Sequence, residues 1–324
     1  MKKMLSMRGL VAAAVCALTV GSSWAQPYPS RPITLVVPFT AGSGTDLIAR
    51  VVAEAMQRSM GQPVTVDNRP GAGGTVGAGQ VARAEPDGYT VLIPSSSHAV
   101  NPAVYPNLPY DTLRDLTGIT PLAALPNVMV TGPGKGWKTA GEAVAAARAR
   151  PGQINYASAG VGSATHLNAE KFRLQADITA THVPYRGTPE ALADVMGDRV
   201  DWFFSPLSSA LPLIRDNKLV PLAVSTAERH SALPNVPTTV EAGIPGSDFV
   251  FWVGMVVHAQ TPPAIVQRLH AEAIKALNDP DVKDRLARQA AVPFPMTPEQ
   301  FNQFIRTEMD AAARIAKAAN LKPQ

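Results

Sequence analysis

Glycine is dense at residues 70–79, and phosphate binding is the first chemistry to test for such a stretch. The nearest match to a dinucleotide fingerprint runs from Gly77 through Gly79 to Ala82. That fingerprint also needs an acidic residue about 20 positions later, at the end of a strand. Residues 86–88 (Pro-Asp-Gly) read as a turn instead. We therefore expect a tight loop and close helix packing here rather than a nucleotide site.

Histidine and serine could supply metal-binding or nucleophilic chemistry, but their spacing favours neither. The histidines show no HExxH pattern and no pair at i and i+4, and the single cysteine is Cys16. Ser163 has His166 nearby, yet no G-x-S-x-G elbow occurs. We expect no metal, no cofactor and no catalysis; a serine hydrolase stays an alternative. The histidines are His98, His166, His182, His230, His258 and His270.

Small and polar residues follow four predicted strands, at residues 39–46, 95–98, 160–165 and 205–208. In open sheets, ligands bind beyond the carboxyl ends of the strands, where small residues let a ligand approach the main chain. Free N–H groups at the start of the next helix favour an anion. Each segment alone could be a capping turn, but the four together predict a ligand site.

Strands that alternate with helices must position these segments. Residues 33–37 are nearly all apolar and rich in β-branched side chains, as in a strand buried on both faces. The next helix has apolar residues at helical spacing; Ser43 or Thr45 can cap its start, and Gly61 ends it. Continued alternation predicts βα units and parallel sheets, with helices near the C-terminus as a cap. Further strands are predicted at residues 63–66, 89–93, 128–130, 154–157, 200–204 and 219–225, and the C-terminal helices at 263–277, 281–290 and 298–319.

The first 25 residues differ from the rest in composition. Basic residues precede an apolar run at residues 9–21 that is too short to span a bilayer, and Ser23 and Ala25 supply small residues before a cleavage point. This pattern predicts a cleaved secretory signal peptide at residues 1–25, without a lipid anchor, and a soluble protein in the periplasm. Without that segment the net charge falls from +4 to about +1, which argues against nucleic acid as a partner.

The length of 324 residues predicts two domains. With 46% apolar and 17% charged residues, the composition excludes a disordered chain and a polytopic membrane protein. No low-complexity linker occurs, and the best breaks are at residues 118–126 and 243–248. We therefore expect two crossings that form a hinge. One lobe would comprise residues 26–125 plus 249–324, and the other would comprise residues 126–248.

Several motifs occur in order along the chain: YPSRPI and VVPFTAGSGTD within residues 28–46, DNRPGAGG at 67–74, PDGYT at 86–90, NYASAG at 155–160, VPYRG at 183–187 and LPNVPT at 233–238. Together they resemble the Bug family, which are periplasmic solute receptors of tripartite tricarboxylate transporters. The resemblance implies an α/β, type II periplasmic-binding-protein fold, with two α/β lobes and a ligand cleft between them. It also implies that main-chain N–H groups and waters from two facing loops, here residues 39–46 and 160–165, hold a ligand carboxylate.

Two positions depart from the family pattern. Ser205 stands where many members carry an acid suited to a ligand ammonium, which argues against an amino-acid ligand. Arg186 stands where lysine is common, and its planar guanidinium can hold a carboxylate with two hydrogen bonds or stack on a ring. The candidate ligand residues are Phe39, Thr40, Ala41, Gly42, Ser43, Thr45, Asp46, Ser95, Ser96, Ser97, Gly160, Val161, Gly162, Ser163, Thr165, Arg186, Gly187, Thr188, Phe204 and Ser205.

These observations predict a monomeric receptor that captures a small organic acid and delivers it to the membrane subunits of a tripartite tricarboxylate-type transporter. Phe39 and one of Phe203 and Phe204 could form an aromatic wall, because side chains alternate along a strand. Residues 95–97 could hold a second carboxylate, so we expect an aromatic dicarboxylate. A ligand-sensing partner of a sensor kinase is the alternative function.

Overall fold

The computed structural model describes residues 28–321, so the predicted signal peptide lies outside the described residues. Within this range the strands form one sheet of six and one of five. The strands are β1 (Ile33–Val37), β2 (Val64–Asn68), β3 (Thr90–Leu92), β4 (Leu116–Leu125), β5 (Asn127–Thr131), β6 (Asn155–Ser158), β7 (Thr181–Pro184), β8 (Trp202–Pro206), β9 (Val220–Val224), β10 (Phe251–His258) and β11 (Val292–Pro293).

Helices connect most of these strands. None of the described helices is long and apolar enough to cross a membrane. The α-helices are α1 (Gly44–Met60), α2 (Thr75–Ala82), α3 (Ser97–Val104), α4 (Ala140–Ala149), α5 (Ala164–Gln175), α6 (Thr188–Met196), α7 (Leu207–Arg215), α8 (Pro263–Asn278), α9 (Pro280–Arg288) and α10 (Pro298–Ala318).

Both sheets are mixed, so the prediction of parallel sheets was wrong. The first has the order β11-β4-β10-β3-β1-β2, and the second has the order β7-β6-β8-β5-β9. Where a helix connects successive strands, as in β1-α1-β2 and β6-α5-β7, the pair is parallel. In contrast, β5 and β10 each follow a strand of the other sheet and pair antiparallel with their neighbours. A strand that arrives from the other sheet needs no crossover helix, so β5 and β10 are not restricted to the parallel direction.

Most of the predicted break at residues 118–126 lies within β4, and its last residue, Pro126, lies between β4 and β5. Gly118 makes room for a side chain: a Cβ there would lie 2.6 Å from Cδ1 of Phe301. The pairing of β4 with β10 shifts register near Pro121, which lies opposite Gly254. Gly118 and Pro121, which suggest a break when read from the sequence, are therefore both accommodated within a strand.

The chain changes sheets between β4 and β5 and again between β9 and β10. Strands of the first sheet lie within residues 33–125 and 251–293, and strands of the second lie within residues 127–224. The movement of these segments as two lobes stays a prediction. Each sheet has its own aromatic core: Trp252 packs against Phe301 in the first, and Trp202 packs against Phe172 in the second.

Candidate anion-binding cavity

The loop between β1 and α1 ends in an N-cap. Ser43 has extended backbone angles (φ −66°, ψ 156°), and its Oγ accepts a hydrogen bond from the Asp46 N–H at 3.4 Å. Gly42 has a positive φ of +81°, and its N–H donates to Oδ2 of Asp46 at 2.9 Å. The start of α1 is therefore fixed by one serine and one carboxylate.

The loop between β6 and α5 repeats this geometry. Ser163 has φ −69° and ψ 158°, and its Oγ accepts from the His166 N–H at 3.2 Å. Gly162 has a φ of +73°, and its N–H donates to Nδ1 of His166 at 3.3 Å. Residues 42–45 and 162–165 both read Gly-Ser-small-Thr, so the same local sequence produces the same helix start twice.

The first two N–H groups of each helix have no acceptor among the described residues. They belong to Gly44 and Thr45 in α1 and to Ala164 and Thr165 in α5. Both helix starts line one narrow cavity, which we call the anion cavity. Its lining residues are Phe39, Ser43, Gly44, Thr45, Ser95, Ala159, Ser163, Ala164, Thr165, Thr188, Pro206 and Phe251.

None of these lining side chains is charged, yet the cavity favours an anion. Each helix N-terminus carries the equivalent of roughly half a positive charge, and its free N–H groups are strong donors to a carboxylate oxygen. The hydroxyls of Thr45 and Thr188 add donors, while Phe39 and Phe251 supply apolar surface. The arrangement suits a small carboxylate with an apolar body.

Asp46 was predicted to contact the ligand, but the structure places it behind the loop. Its carboxylate accepts from the Gly42 N–H, from Arg50 Nε at 3.0 Å and from Asn68 Nδ2 at 2.9 Å. Burial alone would raise the pKa of Asp46, but the hydrogen bonds from Arg50, Gly42 and Asn68 hold it below its usual value. The Asp46 carboxylate is therefore ionised, and its oxygens already accept hydrogen bonds within the protein. This suits a residue that positions the loop.

His166 lies in a stack of rings beneath the second loop. Its imidazole lies parallel to that of His182, with ring centroids 4.0 Å apart, and His182 continues the stack to Tyr156. Burial lowers the pKa of His166 to about 4, so its Nδ1 is free to accept from Gly162 near neutral pH. The imidazole of His166 makes no hydrogen bond to the Oγ of Ser163, which instead caps α5 by accepting from the His166 main-chain N–H and lies 3.0 Å from Oγ1 of Thr165. This geometry does not resemble an activated serine nucleophile.

The chain segments on the two sides of the cavity contact each other. Oγ1 of Thr40 donates to Glu190 at 3.3 Å, and the Tyr105 hydroxyl donates to the Val161 carbonyl at 2.8 Å. A Cβ on Gly73 would lie 2.2 Å from the same carbonyl oxygen, so only glycine fits there. The tight, closely packed glycine-rich loop that the sequence predicted is confirmed. It packs against the loop between β6 and α5.

The structure brings part of the predicted ligand set to the cavity. Ser97 lies behind Ser95, with their Oγ atoms 3.0 Å apart, and Ser96 lines a different cavity. Predicted residues that line the anion cavity are Phe39, Ser43, Thr45, Ser95, Ser163, Thr165 and Thr188. Predicted residues outside its lining are Thr40, Ala41, Gly42, Asp46, Ser96, Ser97, Gly160, Val161, Gly162, Arg186, Gly187, Phe204 and Ser205.

The aromatic wall differs from the prediction. Phe204 is fully buried in the core of the second sheet, where its ring packs edge-on against Phe172 and Trp202. Phe203 faces the other core of that sheet. Ser205 is also buried, and its Oγ donates to the Pro206 carbonyl at 3.1 Å.

Arg186 is exposed and does not line the cavity. The lining residues that sequence reasoning missed have two kinds of signal. Gly44 and Ala164 lie inside the repeated Gly-Ser-small-Thr pattern, which marks them as the first residues of matched helices. Phe251 begins β10, a strand that the sequence did not reveal. The remaining missed residues are Ala159 and Pro206.

Among residues 28–321, no cluster of His, Cys, Asp and Glu side chains could hold a metal ion.

Comparison with known proteins adds a family and a set of neighbours. Residues 48–321 match the model described as "Tripartite tricarboxylate transporter family receptor". Protein BugT of Bordetella pertussis (strain Tohama I) is 35% identical over 325 residues, which cover 99% of each chain. Two solved structures share the fold. Rpa4515 of R. palustris with adipate has a TM-score of 0.88 and 32% identity, covering 92% of this chain and 100% of that one. MatC (Rpa3494) of Rhodopseudomonas palustris with bound malate has a TM-score of 0.85 and 31% identity, covering 89% and 99%.

Proposed function

The chain belongs to the tripartite tricarboxylate transporter receptor family of periplasmic solute-binding proteins, and from this premise we propose that it captures a small organic carboxylate and delivers it to the membrane subunits of such a transporter. The predicted family and fold class are confirmed by the same comparisons. The observation that carries the proposal is the pair of helix starts at Gly44 and Ala164, whose free N–H groups line one uncharged cavity.

The strength of such a site is sufficient for a receptor. A hydrogen bond to a charged group contributes about 1.5–3 kcal/mol, so four N–H groups give a gross term of roughly 6–12 kcal/mol. A micromolar site needs about 8 kcal/mol. Ordering and desolvation reduce the gross term, and the hydroxyls of Thr45 and Thr188 add to it. The site therefore does not need a cationic side chain.

The finer proposal is a dicarboxylate. The two neighbours named above hold adipate and malate, which are both dicarboxylates. An aromatic acid is supported by Phe39 and Phe251, which line the cavity; Phe204 and Arg186 do not line it and give no support.

Closure and secretion complete the proposal. The contacts Thr40–Glu190 and Tyr105–Val161 suit an arrangement that forms when residues 26–125 plus 249–324 and residues 126–248 close on a ligand as two lobes. Secretion would remove residues 1–25 and release a monomer into the periplasm. The helix starts favour binding over catalysis because they offer donors to an anion and no activated nucleophile.

The decisive experiment is calorimetric titration of the mature protein with matched acids and amides. We expect at least one of malate, adipate, phthalate or terephthalate to bind, and the corresponding diamide to bind at least a hundredfold more weakly. Equal binding of acid and amide, or no binding by any acid, would contradict carboxylate capture. Binding of adipate or malate without binding of either benzene dicarboxylate would overturn only the aromatic part.

The outer partners can be tested in the same titration. Loss of aromatic-acid affinity in Arg186→Ala or Ser97→Ala would support a second carboxylate near these residues. Unchanged affinity in both variants would remove them from the site. Coupling to transport is tested separately, by uptake of the bound acid in cells with and without the receptor.

A further inference from the structure

A second cavity of about 180 Å³ lies where α3, α5 and α10 meet residues 248–250. Ser95 lines the anion cavity and Ser96 lines this one; likewise Phe251 lines the anion cavity and Val250 lines this one. The two cavities therefore lie on opposite sides of the same chain segments. We call this one the rear cavity; its lining residues are Ser96, Ala99, Val100, Leu167, Lys171, Asp248, Phe249, Val250, Glu308, Ala311, Ala312 and Ile315.

The rear cavity contains a hydroxyl without a partner. Ser96 is 2% exposed, and its Oγ makes no hydrogen bond with any described residue. A buried hydroxyl without a partner destabilises the fold. The Ser96 N–H is already used, because it donates to the Trp252 carbonyl at 3.0 Å. Among the lining residues, Ser96 is the one whose side-chain polar atom is buried without a hydrogen-bond partner.

The rear cavity carries one basic side chain, Lys171, and two acidic ones, Asp248 and Glu308. Lys171 donates to the main-chain carbonyl of Asp248, and its Nζ lies 3.8 Å from the Asp248 carboxylate. Burial raises the pKa of the half-buried Glu308, although Trp252 and Lys171 act in the opposite direction. An added anion would face Asp248 and Glu308, and an added cation would face Lys171. The apolar walls, which include Leu167 and Ile315, also favour a molecule without net charge.

We propose that the rear cavity binds a small uncharged molecule with an apolar body and one hydroxyl or amide group, which hydrogen-bonds to Ser96. The walls of the rear cavity come from helices associated with each of the two sheets. Helix α5 follows β6 of the second sheet, whereas α3 and α10 pack with the first sheet. A molecule lodged there obstructs the movement that opens the anion cavity on the other side of residues 248–250. Occupancy of the rear cavity therefore favours the closed arrangement. This coupling rests on the proposed function; binding to the rear cavity does not.

Binding is tested with three probes that share one carbon skeleton: butan-1-ol, butylammonium and butanoate. Amide chemical shifts of the full mature protein, recorded with each probe, locate the site. We expect saturable shifts around Ser96 and Lys171 with butan-1-ol, at least fivefold weaker binding of the two charged probes there, and at least fivefold weaker butan-1-ol binding in Ser96→Ala. Shifts that do not saturate, or equal binding by Ser96→Ala, would overturn the site.

Coupling is tested with a cavity-filling variant and a matched control on α10. Ala311 lines the rear cavity, whereas Ala313 is exposed on the same helix. We expect Ala311→Leu to bind the anion cavity's carboxylate two- to fivefold more tightly and to lose the butan-1-ol shifts, while Ala313→Leu matches the unmodified protein. Butan-1-ol binding without any change in carboxylate affinity would overturn the coupling. If no carboxylate binds at all, the proposed function fails, but the chemical-shift test of the rear cavity still gives its own answer.

Discussion

The side chains of Asp46 and His166 hold two separate loops in the same way: each accepts a hydrogen bond from the main-chain N–H of the glycine four residues earlier, Gly42 or Gly162. One acceptor is a carboxylate and the other is a neutral imidazole. The two helix starts are therefore matched in geometry but differ in the group that fixes them. This difference makes the second loop the one that responds to acid.

Substitution of Gly162 should abolish binding. A Cβ at this position would lie 2.8 Å from Cε2 of Tyr105 and 3.1 Å from Oδ1 of Asn101, in addition to the strain of φ +73°. We expect Gly162→Ala to weaken carboxylate binding at least tenfold in a calorimetric titration. Gly136 has the same φ of +73° with no atom within 4 Å of a Cβ, so Gly136→Ala is the matched control for strain alone. Equal affinities of the two variants would contradict the role given to the second loop.

The close approach of Gly73 to Val161 allows a similar comparison between a test variant and a control variant. Gly73→Ala would place a Cβ 2.2 Å from the Val161 carbonyl oxygen and push the second loop away. Gly61 has a comparable φ of +68° with open space around it. We expect both alanine variants to lose about 1–2 kcal/mol of stability from strain in chemical denaturation, but only Gly73→Ala to lose affinity. An affinity loss of the same size in Gly61→Ala would show that strain, not the steric approach, is responsible.

Removal of the serine caps should reduce both stability and affinity. Ser43→Ala and Ser163→Ala each remove a side-chain acceptor from a helix start, which costs about 1 kcal/mol of stability. The loosened N–H groups should also bind carboxylate at least threefold more weakly. Thr139 caps α4 in the same way and does not line the anion cavity, so Thr139→Ala should lose stability but keep its affinity. Unchanged affinity in both serine variants would remove the caps from the binding mechanism.

Stability should fall in mild acid because three imidazoles are buried in their neutral form. Burial lowers the pKa of His98 and His166 to about 4 and that of His182 to about 3. Below the ordinary value of 6.5, the unfolded chain binds protons that the folded chain does not, so the free energy of unfolding falls as the pH drops from about 6.5 to about 4. Urea denaturation between pH 7 and pH 5 measures this slope before most carboxylates titrate.

The variant His98→Asn separates one group from the other two. His98 lies in α3, and its Nδ1 has no hydrogen-bond partner among the described residues. We expect the variant to reduce the slope between pH 6.5 and pH 5 by about a third. A slope of zero in the unmodified protein, or the full slope in the variant, would contradict buried neutral imidazoles as its origin.

Local signals in the sequence predicted local structure well. Ser43 and Gly61 cap α1 as expected, because both act through bonds within a few residues of the helix end. Strand direction was not predictable in this way. It depends on the sheet that the chain is leaving, and for β5 and β10 that information lies in distant residues.

The same limit applies to side chains at the candidate site. Alternation along β8 established that Phe203 and Phe204 face opposite sides, but it could not reveal that both sides are core. Asp46 occupies a typical ligand position in sequence, but its carboxylate accepts from Gly42 and Arg50 nearby in the chain and from Asn68 on the neighbouring strand β2. Contacts between distant segments therefore decided which predicted residues reach the cavity.

The uncharged lining of the anion cavity has a consequence for how such receptors diversify. Every residue except proline carries a main-chain N–H, so the donors at positions 44 and 164 persist through most substitutions that keep the helix starts intact. Wall residues such as Phe39, Thr188 and Phe251 can then vary without loss of the charge-binding element. Binding of the acid group and selection among acids therefore depend on different parts of the chain. New specificities can evolve while the receptor continues to bind a carboxylate.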